Sequence, residues 1–304
     1  MPKVKLQTPR FVLKNGELIP WADAVVHVGC EAVKQGLSVF EGIKGYWLSD
    51  GNFGLLELRR HYDRLRRSAS LLQIPYAGTF EEFKAGVVSL TRALLVPEKD
   101  LWIRTPLFVV EGHWGEDTRA DLIMTAYQAD KSRPRALKLG ISTWQRSADN
   151  SVSYRIKSTA NYQVSRLARI EGRSRNCDDM ILLNQWGRVA EATGAALLVV
   201  RDHKIITPAH TEGALESITV DIAQTIAQSI GIEFERRPID RTELLIADEM
   251  CLCGTLNELV PAAYIDDHLL EPGSPVLSKL RSCFYDIVRG AVEHDGISIT
   301  RLDD

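Results

Sequence analysis

The sequence predicts an α+β protein with strands and helices mixed in two unequal domains. Three observations lead there. The 304 residues suffice for a large core and for more than one domain. Strand-like and helix-like apolar periodicities occur side by side along the chain. A polar, charged and proline-broken stretch, Ala129-Asp130-Lys131-Ser132-Arg133-Pro134-Arg135, has the composition of an interdomain linker.

The elements follow in order. Residues 10–13 and Glu17–Pro20 flank an Asn15-Gly16 dipeptide and read as a hairpin. A short helix is expected at Glu31–Gln35, then a strand at Ser38–Trp47 that turns at 49–52 into another at 53–58. Residues 61–72 place Leu65, Ala69 and Leu72 on one helical face, and Thr79 caps a second helix at 81–95. Strands at 101–110 and 122–127 complete a small first domain, 1–128, ahead of the linker 129–135. The larger domain, 136–304, opens with a strand at 136–142 and a helix at 158–173. Strands at 180–184, 195–200 and 205–207 are joined by turns, and Ile218, Ile222, Ile226 and Ile230 recur four apart in a helix. Strands at 232–238 and 249–252 and a helix at 276–294 end the chain.

Bulk properties narrow the function. A net charge of −3 gives no basic footprint for nucleic acid or an anionic membrane. No apolar run approaches the about 20 residues of a membrane helix, and Met1–Lys5 lacks the character of a signal peptide, so a cytoplasmic location is expected. The five cysteines are odd in number and scattered, which fits thiols in a reducing compartment. Cys251 and Cys253 share one face of a strand, but no second Cys/His pair stands at zinc spacing, so no metal site is expected.

No P-loop, GxGxxG, GxSxG or HExxH motif is present. Chemistry must come from a dispersed set. Gly36-Leu37-Ser38-Val39-Phe40-Glu41-Gly42 is followed by His61-Tyr62-Asp63-Arg64-Leu65, then Lys157-Ser158-Thr159-Ala160-Asn161-Tyr162. Val189-Ala190-Glu191-Ala192-Thr193, Leu215-Glu216-Ser217-Ile218-Thr219 and Cys253-Gly254-Thr255 complete the series. In this order and spacing the set resembles the branched-chain aminotransferases, over nearly the whole chain. The resemblance implies a two-domain fold like that of the D-amino-acid and branched-chain aminotransferases, pyridoxal 5′-phosphate (PLP) fold type IV.

It also implies roles. A lysine considered alone is ordinarily a solvated surface charge, but Lys157 matches the lysine that forms an imine with the cofactor aldehyde and then shuttles the substrate proton. Glu191 matches the carboxylate that keeps the pyridine nitrogen protonated, and Tyr162 the phenol bonded to the cofactor's phenolic oxygen. Arg64 matches the cation on the phosphate. Leu215, Ser217, Ile218 and Thr219 would lie at a phosphate-binding helix N-terminus, with Ser217 where many relatives have glycine, and Thr255 adds a hydroxyl.

The substrate residues depart from the family pattern. Lys34-Gln35 stands where His-Tyr is usual, and the Pro-Trp-Gly-x-Tyr segment is absent near Tyr127–Lys131. Trp102-Ile103-Arg104 is similar to the usual Tyr-x-Arg, so Arg104 could take a second carboxylate such as that of glutamate. Phe40, Gln35, Trp114 and Leu256 are further candidates for the pocket. The reading is transamination between an L-amino acid, branched-chain or glutamate, and a 2-oxo acid, through pyridoxamine phosphate. Aminodeoxychorismate lyase-type elimination and D-amino acid or amine transamination are the alternatives on this fold. A homodimer is implied.

Overall fold

The computed structural model describes residues 7–131, 135–270 and 275–303. Contacts divide them into two units. One comprises 7–131, Ile156–Ala160 and 288–303; the other comprises 135–155 and the described part of Asn161–Ile287. The linker was expected at 129–135, of which 132–134 lie outside the described residues. Two segments beyond it, Ile156–Ala160 with Lys157 and the C-terminal stretch, group with the first unit.

In the first unit, β1 (Phe11–Lys14) and β2 (Glu17–Pro20) pair antiparallel across Asn15 and Gly16. Both turn residues have positive φ, 49° and 91°, as a two-residue hairpin of matching twist requires. Helix α1 (Glu31–Gln35) leads into β3 (Ser38–Trp47) and β4 (Phe53–Leu56). Instead of alternating, β3 is buried along both faces, with helix α2 (Leu58–Leu71) packed on it. Helix α3 (Phe80–Leu94) starts on a reciprocal capping box between Thr79 and Glu82 and buries Phe83, Val87, Leu90 and Leu94. Strands β5 (Asp100–His113) and β6 (Glu116–Ala129) form one long hairpin turning at Trp114 and Gly115. Both outrun the shorter strands expected at 101–110 and 122–127. The polar stretch at 116–121 reads as loop, yet an antiparallel ribbon tolerates polar residues on a solvated face.

The second unit opens with β7 (Leu137–Gln145), followed by α4 (Tyr162–Ser174), β8 (Asp179–Leu183) and β9 (Val189–Ala192). Next come β10 (Ala196–Arg201), β11 (Lys204–Pro208), α5 (Ile218–Ser229) and β12 (Phe234–Arg237). Strands β13 (Glu249–Gly254), β14 (Glu258–Ile265) and β15 (His268–Leu269) precede α6 (Val276–Val288). Among the described residues these strands form one nine-stranded sheet, β12-β11-β10-β13-β14-β7-β8-β9, with β15 on β14. Its core gathers Leu139, Ile181, Leu197, Val199, Ile206 and Leu252. The last strand, β16 (Ile299–Arg301), completes the first unit's sheet, β16-β4-β3-β5-β6-β1-β2, around Leu13, Ile43, Leu55, Leu65, Leu90 and Ile103.

Three further differences from expectation bear on the site or the chain's last helix. The helix expected at 158–173 begins only at Tyr162, because residues 157–159 spend their main-chain groups on β3 and the Ser158 hydroxyl accepts the Ala160 N–H. Glu191 lies within a strand, β9, where none was expected between those at 180–184 and 195–200. The final helix stops at Val288, ahead of Gly290 at φ 71°, short of the expected 294.

Candidate functional site

Lys157 stands on irregular chain anchored at both main-chain groups. Its carbonyl accepts the Phe40 N–H of β3 at 3.0 Å, and its N–H donates to the Ser68 hydroxyl of α2 at 3.1 Å. Beside it, the Thr159 N–H donates to the Ser38 carbonyl, and the hydroxyls of Ser38 and Thr159 lie 2.6 Å apart. The half-buried side chain runs over Phe40, with Nζ 5.0 Å from the ring centroid. Arg104 of β5 places its guanidinium 4.6 Å from the same ring and 5.6 Å from that of Trp102. One phenyl ring is thus flanked by an amine and a guanidinium. Arg104 Nε is buried and has no hydrogen-bond partner among the described residues.

Arg64, on α2, is only 4% exposed. Its Nε and Nη2 donate to the two carboxylate oxygens of Glu41, at 2.7 and 2.8 Å. His61, one turn earlier, sets Nδ1 2.7 Å from the same carboxylate. Burial, the largest influence on Glu41, pushes its carboxyl up. The Arg64 charge and the bonds from Arg64 and His61 outweigh it and hold the group well below the ordinary carboxylate range. His61 is shifted down by burial, against the pull of Glu41, with the charges of Arg64 and Lys157 adding to the fall. Glu41 stood within the Phe-Glu-Gly signature with no assigned role, and no sequence pattern distinguishes it from an outward-facing strand residue.

In the second unit, Glu191 is 9% exposed and bonded at both oxygens: Arg146 Nη2 lies 2.7 Å from Oε1, and the Leu215 N–H donates to Oε2 at 3.1 Å. Arg146 was not anticipated. In Trp144-Gln145-Arg146-Ser147 it reads as a surface arginine, yet it is buried and also donates from Nε to the Gly213 carbonyl at 3.3 Å. Ser217 caps α5, its hydroxyl accepting the Val220 N–H at 3.3 Å. The first-turn N–H groups of Ile218 and Thr219 therefore open onto a helix terminus with no intrahelical acceptor. Tyr162, half-buried, is the first residue of α4, and Thr255 follows Gly254 at the β13–β14 turn.

The remaining candidates sit apart within their units. Trp114 is at the hairpin tip, 81% exposed, with φ 54°. Gln35 ends α1 exposed, and Leu256 is 48% exposed in the β13–β14 turn. None of the three is enclosed as a pocket wall within its own unit.

The donor set suits PLP. The first unit offers a primary amine on a fixed main chain and a buried arginine of the kind that binds phosphate, and the second offers a buried carboxylate of the kind a protonated ring nitrogen needs and a capped helix N-terminus.

Comparison with known proteins agrees. The family described as amino-transferase class IV matches residues 38–265. A probable branched-chain-amino-acid aminotransferase of Synechocystis is 35% identical, with 88% of each chain covered. The branched-chain aminotransferase of the archaeon Thermoproteus uzoniensis, crystallised with norvaline, superposes with TM-score 0.90 at 30% identity, covering 97% of this chain and 99% of that one. The PLP-bound form of the Thermobaculum terrenum enzyme gives 0.88 at 32% identity, over 96% and 98% of the two chains. This chain therefore belongs to the class IV aminotransferases, and it is a PLP-dependent transaminase of the type IV fold.

Proposed function

We propose that the chain exchanges the amino group of an aliphatic or branched-chain L-amino acid with a 2-oxo acid, with glutamate as the second amino donor. The observation that carries this is the Phe40 ring with Lys157 Nζ at 5.0 Å and Arg104 at 4.6 Å. It offers a reactive amine, an apolar surface and a cation for a distal carboxylate. Apolar amino acids use the ring; glutamate additionally uses Arg104. Similarity to branched-chain aminotransferases, one of them crystallised with norvaline, supports the aliphatic side of this reading.

PLP, when bound, supplies an electron sink for the charge that develops at the substrate α-carbon. The protein's share is positional. Lys157 would hold the cofactor through Nζ and, once the substrate amine has displaced it, that freed amine would move the proton from the substrate α-carbon to the cofactor carbon that bore the aldehyde. Glu191 keeps a proton on the ring nitrogen, its own carboxylate steadied by Arg146 and the Leu215 N–H. Arg64, the N–H groups of Ile218 and Thr219, and Thr255 serve the phosphate, with Leu215 and Ser217 shaping that loop; Tyr162 serves the phenolic oxygen. Trp102, Trp114, Gln35 and Leu256 are further substrate-side residues in this reading.

The reading includes a homodimer. Trp21, Val25, Val26, Val28 and Val33 are 38 to 75% exposed within one short stretch, and clustered exposed apolar side chains of this kind favour a protein partner. It also includes a cytoplasmic location, in keeping with free thiols at Cys251 and Cys253, whose burial raises both.

The test is optical. Protein loaded with PLP is expected to absorb in the visible and to bleach on addition of L-leucine, L-norvaline or L-glutamate, while Lys157→Ala shows neither the band nor the response. A coloured protein that none of these amino acids bleaches would overturn the substrate assignment.

A further inference from the structure

The fully buried Glu41 carboxylate lies where β3 meets α2. A buried ion pair costs desolvation, and apolar residues of similar volume commonly stabilise a core as well or better. The Glu41–Arg64 pair is bidentate, which fixes both the plane and the position of the guanidinium. His61 adds a third bond to the carboxylate.

The same two elements hold Lys157. Phe40, the residue before Glu41, donates its N–H to the Lys157 carbonyl, and Ser68, one turn after Arg64, accepts the Lys157 N–H. The Glu41–Arg64 bonds therefore tie strand to helix between the two points from which the reactive lysine hangs.

We propose that Glu41 is a positioning residue for cofactor retention: its carboxylate sets the Arg64 guanidinium against the cofactor phosphate and keeps it in register with Lys157. This rests on the phosphate role given to Arg64 above. Glu41 touches neither cofactor nor substrate and acts through Arg64 alone.

Pyridoxal, which has the aldehyde but no phosphate, separates the positional role from a purely structural one. Apo-protein is titrated with PLP and with pyridoxal, following the visible band, for the wild type, Glu41→Gln, Arg64→Met and the double variant, with circular dichroism as the check on folding. Glu41→Gln is expected to weaken PLP by at least about tenfold, the scale of a lost charge-assisted contact, while pyridoxal changes by less than about threefold. In the Arg64→Met background the Glu41 change should cost nothing further in the preference for PLP. Equal weakening of both aldehydes, or a loss that adds to that of Arg64→Met, would overturn the proposal. A wild type that does not prefer PLP, or an Arg64→Met variant that keeps the preference, removes the phosphate role of Arg64, and this proposal with it. If Glu41→Gln does not fold, Glu41→Asp, which keeps the charge on a shorter arm, is judged by the same criteria.

Discussion

Arg146 Nη2 lies 2.7 Å from Glu191 Oε1, and the two side chains are 6% and 12% exposed. The same guanidinium reaches the carbonyl of Gly213, two residues before the Leu215 N–H that bonds the other Glu191 oxygen. One arginine thus braces a carboxylate and the loop that leads to the α5 cap.

Removing it should be costly. Arg146→Met is expected to destabilise the protein by about 3–5 kcal/mol, since it leaves Glu191 buried without its counter-charge. Equilibrium urea denaturation measures this. Pairing it with Glu191→Gln should recover part of the loss; if the double variant is less stable than Arg146→Met, the bracing account is wrong.

Arg104→Leu should separate the two amino donors. Loss of a charge-assisted bond of roughly 1.5–3 kcal/mol predicts a rise of about tenfold to a hundredfold in KM for glutamate and little change for leucine. Steady-state kinetics with each donor decide it. A parallel loss for both would show that Arg104 supports the fold and not the distal carboxylate.

Acid should weaken the fold in two steps. The folded state holds His61 neutral below its ordinary pKa, so between about pH 6.5 and the lowered folded value only the unfolded chain gains this proton, and stability falls as pH falls. Glu41, held below its ordinary range, adds a second loss below about pH 4.3, where the unfolded carboxyl protonates first. Melting temperatures across pH 7.5 to 5 should decline, and His61→Asn should flatten that slope. An unchanged slope in the variant would point to other groups.

The exposed stretch around Val28 should govern assembly. Val28→Glu, at a site 75% exposed, is expected to leave the fold intact while converting a dimer to a monomer in light-scattering chromatography. A variant that stays dimeric would move the interface elsewhere.

Local chemistry made much of this fold legible. Asn15-Gly16 has the left-handed φ pair that a tight hairpin demands, and Thr79 with Glu82 announces the start of α3. Elements set by distant partners were not legible. Val189–Ala192 is too short to announce itself, and Glu258–Ile265 contains a proline at 261 and polar flanks that read as loop. The Lys157 segment looks helical by composition, but β3 claims its main chain. At the candidate site, resemblance pointed to Lys157, Glu191 and Arg64; it did not point to Glu41 or Arg146. Charged side chains are ordinarily outside, and only the folded chain reveals that these two are enclosed.

The anchoring of Lys157 at Phe40 and Ser68 has a consequence for the empty-handed protein. With main chain pinned on both sides, the amine explores space only through its own side-chain torsions, like a hook on a short leash. The Lys157 amide should then exchange slowly with deuterated solvent before any cofactor arrives, and binding should leave that rate nearly unchanged. Cofactor capture would be the loading of a finished holder, with little ordering of the backbone still to be done.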